Sequence, residues 1–161
     1  GVFDVPLWLG VLAAGCLGFL VWNWPPAEVF MGDVGSGFLG FALGILAAFT
    51  VLQELMPVWS WLILLSVFLV DATFTLLRRM TAGARWYEAH RTHAYQYAAL
   101  RWRSHQRVTL AVIAINLFWL MPLAWISAKY SQLGPVLAAV AVAPLVLAAS
   151  KLGAGSPEQD G

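Results

Sequence analysis

Five long apolar stretches constrain what this chain can fold into more than any other feature of its sequence. They cover residues 5–22, 34–52, 58–77, 108–127 and 133–149, and the only charged residue among them is Asp71. A helix needs about 20 mostly apolar residues to cross roughly 30 Å of hydrocarbon. The alternation of apolar and polar residues that would suit spanning strands is absent from these stretches. We therefore predict an all-α integral membrane protein with about five transmembrane helices.

The composition excludes most other classes of protein. Of the 161 residues, 61% are hydrophobic and 11% are charged, whereas about a quarter of the residues of a soluble domain are charged. A soluble enzyme, a disordered chain and a free nucleic-acid-binding protein are therefore excluded. The single cysteine, Cys16, lies in an apolar stretch, so an intrachain disulfide is excluded as well.

The basic residues predict how the chain is oriented in the membrane. Seven of the nine Lys and Arg residues lie in the connection 78–107, namely Arg78, Arg79, Arg85, Arg91, Arg101, Arg103 and Arg107. Five alternating spans place this loop, the loop 23–33 and Lys151 on one face of the membrane. The only basic residue on the other face is then Lys129. The positive-inside rule makes the first face cytoplasmic, with the C-terminus inside and the N-terminus outside. We treat residues 1–152 as one membrane domain and residues 153–161 as a disordered tail.

The cytoplasmic connection before the second span is a candidate ligand site. Pro25 and Pro26 end the first helix, and Ser36 stands where an N-cap of the next span would stand. Three glycines surround Asp33 and leave the backbone open to a ligand, namely Gly32, Gly35 and Gly37. A carboxylate in such a turn can hold Mg²⁺ while the helix end favours phosphate. Alternatively, Asp33 only caps the second span.

The Arg-rich loop 78–107 contains all three histidines and is the second candidate. On a helix, His90 and His93 would share a face, and Tyr97 would continue it one turn later. The interleaved arginines and aromatic residues could grip a phosphorylated, ring-containing ligand. The alternative is an amphipathic loop that lies on anionic lipid. Zinc is disfavoured because no cysteine accompanies the histidines.

Two polar residues lie within the apolar stretches. Asp71 is about 10 Å inside the cytoplasmic end marked by Arg78. It either lines an active cleft or makes an interhelical hydrogen bond or an arginine pair. For Asn116, in the fourth span, we predict an interhelical hydrogen bond.

Taken together, these motifs resemble the C-terminal half of the polyprenyl-phosphate N-acetylhexosamine-1-phosphate transferases, glycosyltransferase family 4. Residues 26–36, with Asn23 just upstream, carry the longest match. The segment from His90 to Gln96 carries a second match, and Asn116 in the next span belongs to it. The resemblance runs from about residue 5 to residue 149.

The resemblance implies a function at the cytoplasmic face of a bacterial inner membrane. The protein would transfer an N-acetylated amino-sugar 1-phosphate from a UDP-sugar to undecaprenyl phosphate, release UMP, and use Mg²⁺, with Mn²⁺ as the alternative metal. Its partners would be the UDP-N-acetyl amino sugar, undecaprenyl phosphate and the bilayer, with no nucleic acid; a homodimer is left open. By resemblance Asp33 is the metal ligand and a catalytic residue together with His90 and His93, and the substrate-binding residues are Asn23, Gly32, Gly35, Ser36, Arg91 and Gln96.

The sequence departs from the family pattern in two respects, which bear on the sugar that is transferred and on whether the chain is active alone. The pattern His90-Arg-Thr-His93 lacks adjacent histidines and resembles the branch that starts O-antigen with deoxy-amino sugars, such as N-acetylfucosamine or N-acetylquinovosamine. The family's paired aspartates and its Asn-x-x-Asp-Gly-x-Asp-Gly segment do not occur in the 161 residues. We therefore expect a fragment that is inactive alone. The alternative is a non-catalytic accessory protein of five spans, and a haem-carrying subunit is disfavoured because every histidine lies outside the spans.

Overall fold

The computed structural model describes residues 4–83 and 92–156, and this part of the chain is helical without any strand. The prediction of an all-α protein is therefore confirmed. The α-helices are α1 (Val5–Asn23), α2 (Gly32–Leu52), α3 (Val58–Leu64), α4 (Ser66–Thr81), α5 (Ala94–Trp102), α6 (His105–Ile115), α7 (Met121–Lys129) and α8 (Gly134–Leu152). A π-helical turn, Asn116–Leu120, joins α6 to α7, and a 3₁₀ turn, Ser131–Leu133, precedes α8.

Within residues 4–83 and 92–156, four helical segments are long and apolar enough to cross a membrane, and a fifth is added if α3 and α4 count as one span. The four are Val5–Asn23, Gly32–Leu52, His105–Lys129 and Ser131–Leu152. Length and composition thus confirm the prediction of about five apolar helices in an integral membrane protein. The third span differs from expectation, because α3 and α4 meet at an angle of 74°.

The break in the third span lies at Leu65, whose ψ of 0° departs from helical geometry. The hydroxyl of Ser66 donates to the carbonyl of Ile63 over 2.7 Å. Such a bond from a serine to the preceding turn bends a helix. On the two sides of the break the packing differs, since α3 packs on both α7 and α8 whereas α4 packs mainly on α8. The apolar stretch 58–77 does not indicate in its sequence that the packing changes at Leu65.

The chain divides into two compact units, Gly1–Met56 and Pro57–Gly161. In the first unit α1 buries no residue, and α2 buries only Leu46 and Thr50. The second unit contains three apolar clusters. They consist of Ile63, Leu120, Ala124 and Ala141; of Val70, Ala149 and Ala154; and of Ala98, Ala99 and Val108. Small residues predominate, as is typical where helices approach closely in a membrane.

Residues 153–156 form an ordered segment, the C-terminal strap, which the sequence had assigned to a disordered tail. Ala154 is fully buried, and its carbonyl accepts a hydrogen bond from Nη1 of Arg78 over 3.0 Å. Gly153 and Gly155 have φ values of +84° and +73°, which turn the chain back onto the second unit. The packing of these four residues departs from the expected disordered tail, which otherwise stays a prediction, and residues 157–161 lie outside the described residues.

The prediction of an interhelical bond from Asn116 is also wrong. Its Nδ2 donates to the carbonyl of Val112, one turn earlier in the same helical segment, over 2.9 Å. Two side chains that do make interhelical bonds are Ser60, whose Oγ donates to the Ala124 carbonyl over 3.0 Å, and Trp119, whose Nε1 donates to the Ala141 carbonyl over 3.4 Å. A short polar side chain in a helix often has a nearer acceptor in the preceding turn.

Candidate active site

One candidate site is the turn between α1 and α2, in the first unit. Asn23 is the last residue of α1, and its Nδ2 donates to the carbonyl of Val29 over 2.8 Å. The backbone N–H of Glu28 donates to the Trp22 carbonyl over 3.0 Å. Asn23, predicted to bind substrate, therefore has a structural bond in this turn, because its amide holds the two ends of the loop together.

Helix α2 begins at Gly32, two residues before the predicted start, and this places Asp33 in its first turn. Gly32 has φ +65°, a left-handed conformation that glycine adopts without steric cost. The carboxylate of Asp33 is exposed and meets no hydrogen-bond donor within residues 4–83 and 92–156. Asp33 thus makes no capping bond, and the alternative that it only caps the second span finds no support. A negative charge here is favoured by the helix dipole.

Ser36 and Gly35 differ from their expected roles. Ser36 lies inside α2, where its hydroxyl donates to the backbone carbonyl of Asp33 over 3.2 Å, so the prediction that it is an N-cap is wrong. At Gly35 an added Cβ would lie 2.6 Å from Cγ of Met31, so this glycine makes room for the Met31 side chain. The glycine is needed for packing within the turn.

Asp33 suits Mg²⁺ as one member of a ligand set. Carboxylate oxygens are the ligands this ion prefers, and Mg²⁺ is commonly held by one or two carboxylates together with waters and substrate phosphates. In the part of the chain that the structure describes, no group of three or more His, Cys, Asp or Glu residues comes together. Among the described residues Asp33 therefore does not belong to a complete protein ligand set for a metal ion.

A separate candidate site is the histidine segment, residues 92–96, in the second unit. His93 has φ −73° and ψ 150° and is the N-cap of α5. The predicted helical face shared with His90 involves a residue outside the described ranges. Oε1 of Gln96 accepts a hydrogen bond from the backbone N–H of His93 over 3.1 Å. Gln96, predicted to bind substrate, therefore supports the backbone of His93. His90 and Arg91 lie outside the described residues.

Asp71 reaches the histidine segment from α4. Its Oδ1 accepts a hydrogen bond from the backbone N–H of Ala94 over 2.7 Å and lies 3.6 Å from Nδ1 of His93. Of the alternatives left open for Asp71, the interhelical hydrogen bond is therefore confirmed. The side chain of Asp71 is 17% exposed and that of His93 is 30% exposed, so the imidazole lies at the surface with the carboxylate behind it.

The surroundings of His93 come from two further elements. Its ring stacks on Tyr95, with centroids 6.0 Å apart and an interplanar angle of 26°. The C-terminal strap binds beside it, because Gly155 N–H donates to the Thr92 carbonyl over 2.8 Å. The hydroxyl of Tyr97 donates to the Ser156 carbonyl over 3.3 Å. Sequence reasoning missed the strap, although two glycines directly after the last span are a signal for a turn.

Between α5 and α6 lies a cavity of about 570 Å³ whose lining includes one cationic side chain, that of Arg103. Its lining includes Tyr95, Arg103 and His105. Arg103 has φ +50°, which places it in the tight connection between the two helices. Such a cavity can accept an anionic group. A phosphorylated ligand and an anionic lipid headgroup both carry such a group, so both alternatives for the Arg-rich loop stay open.

Comparison with known proteins assigns the family. Residues 2–51 match the family model described as glycosyl transferase family 4. The phospho-N-acetylmuramoyl-pentapeptide-transferase of Moorella thermoacetica is 49% identical over 71 residues, which are 42% of this chain and 22% of that protein. The probable undecaprenyl-phosphate N-acetylglucosaminyl 1-phosphate transferase of Bacillus subtilis is 32% identical over 108 residues, which are 66% of this chain and 30% of that protein.

A third relative extends the match along the chain. The phospho-N-acetylmuramoyl-pentapeptide-transferase of a Nocardioides species is 37% identical over 124 residues, covering 72% of this chain and 32% of the relative. No solved structure matches the chain. The chain belongs to glycosyl transferase family 4. It spans between 22% and 32% of the length of the three relatives described.

Proposed function

We propose that this chain is part of an enzyme that transfers an N-acetylated amino-sugar 1-phosphate from a UDP-sugar to undecaprenyl phosphate and releases UMP. The observation that carries the proposal is the carboxylate of Asp33. It is exposed in the first turn of α2, meets no donor among the described residues, and lies within the segment that matches the family model. The names of the relatives support phospho-sugar transfer to a polyprenyl phosphate as the general activity.

Asp33 would hold Mg²⁺ in this enzyme, with Mn²⁺ as the alternative. A bound metal ion would neutralise charge on the diphosphate of the sugar nucleotide. The chain's own contribution is the shape of the turn. The bond from Asn23 to the Val29 carbonyl and the left-handed Gly32 hold Asp33 at the helix start. The backbone N–H groups of that first turn point toward an anion bound there.

The proposed reaction is a phosphoryl-group exchange in which atoms and charge balance. An oxygen of undecaprenyl phosphate forms a bond to the β-phosphorus of the UDP-sugar. The bond between that phosphorus and the bridging oxygen breaks, and UMP leaves with the bridging oxygen. Stabilisation of the charge that develops on the phosphoryl oxygens is the main requirement.

The histidine segment would contact the nucleotide end of the donor. The partly exposed ring of His93 and its stacking partner Tyr95 offer a polar and an aromatic surface. Arg101 and Arg103 lie exposed at the end of α5 and could pair with phosphate. His90 and Arg91 would belong to the same segment by resemblance.

The finer assignments are part of the proposal. The His90-Arg-Thr-His93 pattern favours the branch that starts O-antigen or a related envelope glycan with a deoxy-amino sugar. The relatives are named for two other sugars, N-acetylmuramoyl-pentapeptide and N-acetylglucosamine, so the donor must be measured. The excess of arginine in residues 78–107 supports a cytoplasmic location for the active loops in a bacterial inner membrane. A homodimer stays a prediction.

The test is turnover by the complete open reading frame that contains these residues, expressed in membranes. UMP release is measured with undecaprenyl phosphate, Mg²⁺ and a panel of UDP-activated donors: N-acetylglucosamine, N-acetylfucosamine, N-acetylquinovosamine and N-acetylmuramoyl-pentapeptide. We expect turnover with one donor, lost on omission of undecaprenyl phosphate or addition of EDTA. Absence of turnover with every donor, while the protein is correctly inserted, would favour the alternative of a non-catalytic membrane protein.

A further inference from the structure

The cavity between α5 and α6, which we call the α5–α6 cavity, contains an arginine whose charge is not balanced by the described part of the chain. Arg103 lines the cavity, and its guanidinium makes no ion pair within residues 4–83 and 92–156. The sequence has no Asp or Glu between Glu88 and Glu158. The positive charge of Arg103 is thus open to an anionic ligand.

Two other polar side chains of the lining offer hydrogen-bond donors to a ligand. Oε1 of Gln96 accepts the His93 N–H over 3.1 Å, so the amide atom that Gln96 can offer is Nε2, a donor. The hydroxyl oxygen of Ser104 accepts the Arg107 N–H over 3.3 Å, and its proton can be donated. A phosphate group suits this set, because its oxygens accept charge-assisted hydrogen bonds.

The shape of the cavity is set by the backbone of the connection between α5 and α6. Arg103 has φ +50° and ψ 35°, and its N–H donates to the Leu100 carbonyl over 3.3 Å. The N–H of Ser104 donates to the Ala99 carbonyl over 3.2 Å. Ala99 lines the cavity and is buried in an apolar cluster with Val108 of α6. These contacts hold the two helices together and fix Arg103 beside the cavity before any ligand binds.

The cavity lies at the end of a segment that is long enough to cross the membrane. This segment, His105–Lys129, has 25 residues, and a helix of that length is roughly 37 Å long at about 1.5 Å per residue. The hydrocarbon core is only about 30 Å thick. The ends of the segment therefore reach the layer of the lipid headgroups, and His105 lines the cavity at one of these ends.

Apolar side chains lie next to the donors. Leu100 lines the cavity and is 73% exposed, and the neighbouring Trp102 is 42% exposed. Tryptophan is typical of the boundary between headgroups and hydrocarbon. A ligand that joins a phosphate to an apolar body would contact both the donors and Leu100, whereas a free phosphate ion would contact the donors alone.

The charge of the cavity selects between kinds of lipid phosphate. Arg103 is the one cationic side chain of the lining. A phosphodiester carries one negative charge and matches it, whereas a phosphate monoester carries about −1.5 to −2 at pH 7. We propose that the α5–α6 cavity binds the phosphodiester headgroup of an anionic glycerophospholipid, with Arg103 as its ion-pair partner and Leu100 beside its apolar part. This lipid is neither donor nor acceptor in the proposed reaction.

The test measures lipid binding to the complete open reading frame, purified in a neutral detergent, by native mass spectrometry. The probes are phosphatidylglycerol and phosphatidylcholine with the same acyl chains, and no UDP-sugar is present. We expect phosphatidylglycerol to bind more tightly, and Arg103→Gln to weaken its binding by roughly 10-fold, as expected for the loss of a hydrogen-bonded charged group. Arg103→Lys keeps the charge and should retain part of the binding. Equal binding of the two lipids would overturn the proposal.

The matched control is Arg107→Gln, the same substitution at an exposed arginine that does not line the cavity. It should bind phosphatidylglycerol like the unmodified protein, and equal losses in the two variants would show a diffuse attraction and overturn the proposal. The melting temperature of Arg103→Gln should be unchanged, because its side chain has no ion-pair partner within residues 4–83 and 92–156.

A local readout and two competitors identify what occupies the cavity. Photoreactive p-benzoylphenylalanine in place of Leu100 should crosslink to phosphatidylglycerol, and Arg103→Gln should reduce that crosslink. The same group in place of Leu110, which is exposed in α6 outside the cavity, should label lipid equally in both backgrounds. Displacement of the lipid by glycerol 3-phosphate would assign the cavity to a free phosphate ester, and displacement by undecaprenyl phosphate at equal concentration would assign it to the acceptor. Either displacement would overturn the proposal.

Discussion

The backbone N–H of Gly155 donates a hydrogen bond to the carbonyl of Thr92 over 2.8 Å and joins the C-terminal strap to the histidine segment. One residue earlier, the Ala154 carbonyl accepts a hydrogen bond from Arg78 at the end of α4 over 3.0 Å. Residues after the last long helix thus connect the end of α4 with the start of α5. The strap therefore supports the part of the second unit that carries His93.

The strap should be sensitive to a side chain at Gly155. In Gly155→Ala the left-handed φ of +73° costs about 1 to 2 kcal/mol, and the new Cβ would lie 2.9 Å from the Thr75 carbonyl oxygen. We expect the melting temperature in detergent to fall by roughly 2 to 8 °C. Gly153→Ala is the control, because it has a similar φ but no neighbour closer than 3.7 Å. Equal losses for both variants would mean that the contact with α4 is unimportant.

Asp33→Asn should remove turnover while the fold is retained. The carboxylate has no bonding partner in the ranges 4–83 and 92–156, so its loss should hardly change the melting temperature. Turnover by the complete open reading frame should fall by about 100-fold or more, as when a group that stabilises transition-state charge is removed. Asp4→Asn is the matched control, since Asp4 accepts the Leu7 N–H at 3.2 Å as the cap of α1. Full activity of Asp33→Asn would contradict the metal-binding role.

Asn23→Ala should loosen the turn before α2. The lost bond to the Val29 carbonyl, 2.8 Å long, is worth about 1 kcal/mol. Hydrogen exchange of the backbone amides of residues 28–31 should become faster, and KM for the UDP-sugar should rise in the complete open reading frame. Asn116→Ala removes a similar bond of 2.9 Å within its own helical segment and should leave exchange in the turn unchanged. Unchanged exchange in Asn23→Ala would show that the turn does not depend on this amide.

Ser60→Ala should weaken the packing of α3 on α7. Its hydroxyl is fully buried and donates to the Ala124 carbonyl over 3.0 Å. Interhelical bonds of this kind contribute about 0.6 kcal/mol on average in a membrane protein, so a decrease of a few degrees at most is expected in thermal unfolding in detergent. The comparison variant is Ser150→Ala, an exposed serine in α8, which should unfold like the unmodified chain. A larger loss in Ser150→Ala would refute this account.

The helical architecture could largely be predicted from the sequence, and the candidate site only in part. The Asp33 turn was located correctly, although α2 begins at Gly32 and Ser36 lies inside it. The predicted start of α2 was in error by two residues because a helix can begin at several points in a glycine-rich segment. His93 was identified by resemblance, but its position at the start of α5 and its contact with Asp71 were not predicted.

The sequence by itself determined that this is a helical membrane protein, because the length and apolarity of each stretch decide whether it can cross hydrocarbon. Only the tertiary structure decided the partner of Asp71, the bend after Leu64 and the place of the C-terminal strap. These features depend on which helices lie side by side. Ser60 and Ala124 are 64 positions apart, and Arg78 and Ala154 are 76 positions apart. No local pattern of residues specifies contacts over such separations, since they form only when the helices pack.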